Sequence, residues 1–382
     1  MPLSHQAGAP APARLRELDF IRGLAIIAVM GIHFHTVNTG STLVWLLEYP
    51  LKNFGREGVT LFFTLSGFLV GGLLMRELAE RGTIDARRFI IRRMFKIWPA
   101  YYALILFHAV VGRHPRDSFL VQNLTHLQNY LGSSIAQTWS LAVEEHFYLL
   151  LPPALLLAAR LRLGPRVLLC LLCATCLAVL VARGAAVASG EIQAAYVYTH
   201  YRVDSLLFGV MLAILYWMLP GHYRKLATRR AWLMLAVATL LVWLVFLQDE
   251  ITVEESIGFT IQSIGFSALI MLVLEHSGRL RDTLPYRWVA WVGLYSYGIY
   301  LWHTVAREPG KIFISAALAH GVPPMATWAL AVVLQFAIAI CAGYVTTRVI
   351  EFPFLRLRDA IFPDRRASTA PAPAQGLHGP LH

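Results

Sequence analysis

The segment LDFIRGLAIIAVMGIHF, with the residue after it, places Arg22, His33 and His35 in an otherwise apolar run. At 100° per residue, eleven residues put Arg22 and His33 on one helical face, about 16 Å apart along the axis. His35 points nearly opposite to His33. A neutral imidazole is a general base suited to neutral pH, although an interfacial histidine accounts for this segment alone equally well. A second group lies in TWSLAVEEHFYLLLP, where Glu144 and Glu145 enter an apolar stretch. In YRVDSLLFG, Arg202 and Asp204 do the same. In YSYGIYLWH, Ser296, Tyr300 and His303 fall at i, i+4 and i+7, which is one helical face. Each group also has a plain structural reading: a solvated helix start, an entrance ion pair, aromatic packing. An ionisable group inside a membrane nevertheless costs about 2.5–3.5 kcal/mol on insertion scales, which makes each a functional candidate.

A different chemistry is written in ARRFIIRRMFKIWPAYY, which carries Arg87, Arg88, Arg92, Arg93 and Lys96. Arg88 and Arg92 stand at i and i+4, and Arg93 and Lys96 at i and i+3, spacings at which like charges repel on a bare helix. An anionic partner relieves that repulsion, and lipid headgroups or a phosphorylated cofactor both qualify.

These residues must be positioned by helices in lipid. Of 382 residues, 57% are hydrophobic and 14% charged, where soluble domains carry about 25%, and the mean hydropathy is +0.57. Ten apolar runs are long enough to cross a bilayer, at 18–36, 57–75, 95–112, 139–159, 166–186, 203–219, 231–248, 257–275, 289–306 and 325–350. They are continuous rather than alternating, which excludes a β-barrel. The fold class expected is therefore an all-α integral membrane bundle of about ten spans. With both termini in the cytoplasm, inner segments hold roughly three times as many basic residues as outer ones. The acidic segment 249–256 then falls outside as a loop. The net charge of +11 is thus explained by topology, and nucleic acid is not an expected partner. Cys170, Cys173 and Cys176 lie among Leu, Ala and Thr, so they read as packing residues, and no metal is expected. Arginine far outnumbers lysine, as in GC-rich bacterial genomes. Residues 1–17 and 359–382 read as disordered ends flanking one membrane domain, 18–358.

In order along the chain, these strings resemble the acyltransferase family 3 of membrane O-acyltransferases. The resemblance covers residues 15 to about 358. It includes the Arg-x10-His pattern at Arg22 and His33, GVTLFFTLSGFLVGGLL with Ser66 and Gly67, the three strings around Glu144, Asp204 and His303, and VIEFPFLR. One departure is Arg93-x-x-Lys96 before Pro99, where the family commonly has a second arginine; lysine keeps the charge and loses the bidentate fork. The resemblance implies a multi-pass enzyme of the bacterial inner membrane. It would transfer an acyl group, acetyl being the expected one, from cytoplasmic acyl-coenzyme A to a hydroxyl of a carbohydrate or glycoside acceptor. It resembles the branch without a fused esterase-like domain. His33 would be the general base, with Glu144 or Glu145 orienting it, or else an acyl-histidine would form. Arg22, Arg88, Arg92, Arg93 and Lys96 would hold the donor's phosphates, and Arg202, Asp204, Tyr300 and His303 would line the acceptor side. A proton-coupled transporter or flippase is the competing class, since it would use the same intramembrane ionisable groups; no internal repeat of the transporter kind is visible.

Overall fold

The computed structural model describes residues 16–112, 116–132, 135–246 and 251–363. Most of the two ends expected to be disordered, and Asp249 and Glu250, lie outside the described residues. Within these, every regular element is a helix. The first half of the chain runs α1 (Arg16–His33), α2 (Thr42–Asn53), α3 (Gly55–Arg81), α4 (Ala86–Val111), α5 (Arg116–Leu124), α6 (Gln128–Leu131), α7 (Thr138–Arg160), α8 (Pro165–Ala188) and α9 (Ile192–Val197). It continues through α10 (Thr199–Met218), α11 (Pro220–Ala227), α12 (Arg230–Phe246), α13 (Ile251–Val253), α14 (Phe259–His276), α15 (Leu284–Leu294), α16 (Ser296–Trp302), α17 (Arg307–Ala319), α18 (Pro324–Thr346) and α19 (Phe352–Ile361).

Seven helices are long and apolar enough to cross a membrane, or up to eight if one bent pair counts as a span. The difference from ten lies in three places. In α1, the 18 residues include Arg16, Glu17, Asp19 and Arg22. The expected seventh span is α12, only 17 residues long, bent by 73° from α11. The expected ninth is interrupted at Tyr295, between α15 and α16, and ends in a 3-10 turn, His303–Ala306. Hydropathy counts apolar residues and does not register a break in direction.

Most of the segment between the second and third expected spans, and part of the acidic segment expected as a loop, are helical. The basic run 87–96 belongs to α4, whose N-cap Asp85 accepts from the Arg88 N–H at 3.0 Å. Glu254 and Glu255 are not loop acids: they sit buried in a π-helical turn, Glu254–Gly258, leading into α14. Their ion pairs with Arg56 at the start of α3 make that position tenable.

Three helix crossings are closed by glycine. A methyl group on Gly67 of α3 would lie 1.9 Å from the Leu206 carbonyl oxygen of α10, and one on Gly209 would lie 2.0 Å from the Thr64 carbonyl oxygen. The same reciprocity joins α1 to α15, where Gly23 faces the Val289 carbonyl at 2.0 Å and Gly293 faces that of Asp19 at 1.7 Å. It also joins α16 to α18, through Gly298 and Gly343. Small residues let membrane helices approach closely enough for backbone dispersion contacts to hold them, because lipid supplies no hydrophobic drive between helices. Around these crossings Ile21, Ala25, Ile26, Met30, Phe63, Leu206 and Val210 are almost wholly buried.

Gly67→Val should force α3 from α10. Overpacking of this kind costs about 1–3 kcal/mol or more, seen as a lower unfolding temperature in detergent. Gly164→Val, at a glycine with open space around it, should leave that temperature nearly unchanged.

Candidate active site

At the C-terminal end of α1 the helix stops and the chain turns, and His33 is its last residue. The turn is pinned from α18: His35 N–H donates to Gln335 Oε1 at 2.9 Å, and Gln335 Nε2 donates to the His35 carbonyl at 2.8 Å. Lys52 Nζ donates to the Phe34 carbonyl, and burial pushes the Lys52 ammonium below the usual lysine range. His33 Nδ1 lies 2.8 Å from the Val29 carbonyl oxygen. A carbonyl only accepts, so Nδ1 carries the proton and Nε2 of the neutral ring keeps its lone pair.

His303, 270 positions later in the chain, packs edge-on against His33 with ring centroids 4.8 Å apart. Its Nδ1 donates to the Tyr300 carbonyl at 2.8 Å, while its Nε2 is buried without a hydrogen-bond partner. Gln137 holds this turn from α7's side, donating to the Leu301 carbonyl and to Thr304 Oγ1, each at 3.2 Å. His33 and Tyr300 line a cleft of about 630 Å³ that also meets Gly55, Arg56, Gln128, Trp139 and Tyr196.

From the cleft, one face of α7 carries polar groups into the bundle. Ser140, Glu144 and Tyr148 recur at i+4 and so cover about 12 Å of one stripe. Ser140 Oγ pairs with Tyr300 O–H. Tyr148 O–H donates to Glu144 Oε2 at 3.1 Å and lies 2.6 Å from Ser66 Oγ on α3. The Arg93 guanidinium lies 5.7 Å over the Tyr148 ring and 5.5 Å over that of Phe89. Glu145 faces α4, accepting from Trp98 Nε1 at 3.3 Å.

The structure therefore joins some of the expected site residues and separates others. His33, Tyr300 and His303 come together. Glu144 and Glu145 do not hydrogen-bond to His33; a backbone carbonyl orients that ring instead. Arg22 pairs with Asp19 at 2.8 Å. Arg92 Nη1 donates to the Phe362 carbonyl at 2.6 Å, its Nη2 meets Asp359 at 3.3 Å, and Arg88 donates to the Pro363 carbonyl. Arg88 and Arg92 of this basic run are thus met by the end of α19, while Arg93 turns to Tyr148 and Phe89. Arg202 and Asp204 are wholly buried and do not line the cleft. Arg202 lies 3.3 Å over the Phe259 ring, donates to Thr60 Oγ1 at 3.0 Å, and keeps Nε and Nη1 without partners. Asp204 pairs with Arg183 of α8, not with Arg202. No group of three or more His, Cys, Asp or Glu side chains suited to a metal ion occurs among the described residues.

A family profile described as an acyltransferase domain matches residues 15–348. YrhL of Bacillus subtilis is 29% identical over 320 residues, which cover 75% of this chain and 47% of that protein. The peptidoglycan O-acetyltransferase OatA of Listeria monocytogenes is 27% identical over 321 residues, 75% of this chain and 48% of its own length. The O-acetyltransferase OatA of Staphylococcus aureus is 25% identical over 375 residues, 90% and 57% respectively. The chain thus spans about half the length of the curated relatives it matches. No solved structure matches it.

Arg183, Arg56 and Gln137 had no sequence signal of a site. Arg183 lies deep in an apolar run, and its meaning appears only with its partners: Asp204 Oδ2 at 2.8 Å, the Tyr201 carbonyl at 2.6 Å, the Ser256 carbonyl at 2.8 Å and Thr260 Oγ1 at 2.7 Å. Arg183→Leu leaves Asp204 buried without its countercharge. It should cost about 3–5 kcal/mol, read as lost folded protein in detergent, and Arg183→Leu with Asp204→Leu should recover much of that loss.

Proposed function

This chain belongs to the acyltransferase 3 family of membrane O-acetyltransferases, and we propose that it moves an acetyl group from cytoplasmic acetyl-coenzyme A to a hydroxyl of a saccharide-containing acceptor outside the membrane. It is a multi-pass membrane acyltransferase by family. We place it in the bacterial inner membrane with ten crossings and both ends cytoplasmic, α1 and the broken α15–α16 being crossings that charge and a bend disguise.

The observation that carries this reading is the polar face of α7. Through contacts of Ser140, Glu144 and Tyr148 it runs from Tyr300 of the cleft to the Arg93 face of α4, which supports a donor path from a cationic end to a basic nitrogen. Arg88, Arg92, Arg93 and Lys96 would meet the donor's phosphates, the carbonyls and carboxylate at the end of α19 giving way to phosphate oxygens. Arg22 adds charge nearby. The donor's thiol arm would follow Tyr148, Ser66 and Glu144 toward the cleft, bringing the thioester carbonyl to His33.

There, His33 Nε2 takes the proton of the acceptor hydroxyl as its oxygen attacks the thioester carbonyl. The C–O bond forms, the C–S bond breaks, and the thiolate leaves toward the basic end. The Val29 carbonyl keeps Nδ1–H in place, so that the lone pair always faces the cleft. General-base assistance of this kind contributes about 10²–10⁴ in rate. His303 holds the His33 ring from behind, and Tyr300 with Ser140 forms the floor. Glu144 and Glu145 would act along the donor's path rather than on His33. The relatives include a peptidoglycan O-acetyltransferase, which makes a cell-wall glycan a fitting acceptor.

His33→Ala should abolish transfer from radiolabelled acetyl-coenzyme A in membranes while its abundance stays normal; full activity would remove the base assignment. Arg93→Gln should raise the donor KM about tenfold, as loss of one charge-assisted contact does, with the acceptor KM unchanged. Covalent product in this assay also separates the enzyme from a transporter, which would give uptake without modification.

A further inference from the structure

The wall of the cleft facing His33 is built from α6, α9 and the start of α7, and no part of the catalytic reading uses it. Gln128 and Asn129 of α6 are 1% and 3% exposed. Each turns its amide N–H inward: Gln128 Nε2 donates to the Thr138 carbonyl at 2.8 Å, and Asn129 Nδ2 donates to Thr199 Oγ1 at 2.9 Å and the Val197 carbonyl at 3.2 Å. These partners determine which amide atom is which. The amide oxygens, Gln128 Oε1 and Asn129 Oδ1, are left without partners, although both residues line the cleft. Buried unpartnered acceptors are costly, so a ligand donor that reached these two oxygens would stabilise the wall.

Around them the wall is aromatic. Tyr130 and Tyr198 pack with ring centroids 4.6 Å apart, and Trp139 and Tyr196 at 4.7 Å; all four line the cleft. The α6 turn is anchored from behind by His126, stacked at 4.9 Å on Tyr101 with Nε2 3.1 Å from Tyr102 O–H. Burial pushes the His126 pKa down to about 4, so its neutral ring adds no charge to this side.

The charge of the wall sets the class of ligand. Among the described residues lining the cleft, Arg56 is the one fixed charge. Its Nη1 meets Glu254 Oε2 at 3.1 Å, its Nη2 meets Glu255, and its face lies 4.3 Å over the Tyr196 ring. Glu57, 2% exposed, lies next to it on α3. A carboxylate or phosphate entering here finds its natural partner already held by two carboxylates, and desolvating an unpaired anion is prohibitive. Aromatic faces with a few placed polar groups suit a ring that presents C–H on its faces and O–H or N–H at its rim.

We propose that this wall is the acceptor subsite and that it selects an uncharged saccharide, whose ring lies against Tyr130 and Tyr198 and whose hydroxyl or acetamido donors meet Gln128 Oε1 and Asn129 Oδ1. The inference rests on the acyl-transfer reading for the chemical step alone, not for binding. Gln128, Asn129 and Tyr130 are then specificity-determining residues, set apart from the catalytic His33.

Binding of chitotetraose and of tetragalacturonate to the full-length protein in detergent, by saturation-transfer NMR, tests this. The uncharged tetramer should bind at least about tenfold more tightly, the worth of one lost polar contact or more. Gln128→Leu and Asn129→Leu should each weaken it about tenfold. Tyr130→Ala, which leaves the amide hydrogen bonds intact and guards against loss of folding, should do the same. His33→Ala should leave binding within about twofold. Equal or tighter binding of the acidic tetramer overturns the charge argument, and unchanged binding in the Gln128, Asn129 and Tyr130 variants overturns the subsite. If the binding pattern holds and no acetyl group reaches any saccharide, the acyl-transfer reading fails and the subsite stands.

Discussion

Close helix approach at paired glycines is the constraint on which the rest of this bundle depends. Lipid is as apolar as leucine, so burying leucine against leucine does little to draw helices together. Contact must be gained by approach, and Gly67 with Gly209, Gly23 with Gly293, and Gly298 with Gly343 bring backbones to distances no Cβ would permit. The consequences reach the site. The α1–α15 crossing sets where α1 lies, and α1 ends at His33. The α16–α18 crossing holds the broken ninth segment, and that segment ends at His303. The two histidines meet because both segments are fixed at glycine contacts.

The same close packing makes buried charge both costly and usable. Arg183 and Asp204 are wholly buried, and every nitrogen of Arg183 has a partner. Thr260 Oγ1 adds a further hydrogen bond to Asp204 Oδ2 at 3.0 Å. Such a closed pair is tenable in a low-dielectric interior only because its remaining bonding capacity is satisfied. It ties α8, α10 and α14 together behind the cleft. The Arg56 pairs work alike, and they rest on the π-helical turn Glu254–Gly258, which directs two consecutive carboxylates to one guanidinium. Single π-helical turns are often found at functional sites, and here the turn adjoins the cleft wall.

Much of the candidate site was legible in the residue types. His33, Tyr300 and His303 were visible because ionisable and hydroxyl groups stand out in apolar runs, and the basic face of α4 was visible as like charges at helical spacing. The partnerships were not legible. Glu144 and Glu145 were natural carboxylates to orient His33, yet they face Tyr148, Ser66 and Trp98. Asp204 looked like the partner of Arg202, two residues away, yet on a helix such neighbours point apart, and it pairs with Arg183. Asn129 and Gln128 carried no signal at all, because an amide is informative only once it is known which of its atoms is left without a partner.

By itself the sequence determined the solvent, the helical class and the inventory of chemistry, since each depends on composition or on periodicity along one chain. Hydrophobic runs must be helical in lipid, and Arg22 and His33 share a face by geometry alone. Which residues meet across the bundle was decided only by the tertiary structure. Contact between His33 and His303 joins residues 270 positions apart, through glycine crossings and pinned turns that no local pattern encodes. The ten apolar runs correspond to seven or eight unbroken helices long and apolar enough to cross a membrane. Hydropathy sums residues, while the bend before α12 and the break at Tyr295 are properties of a chain in space.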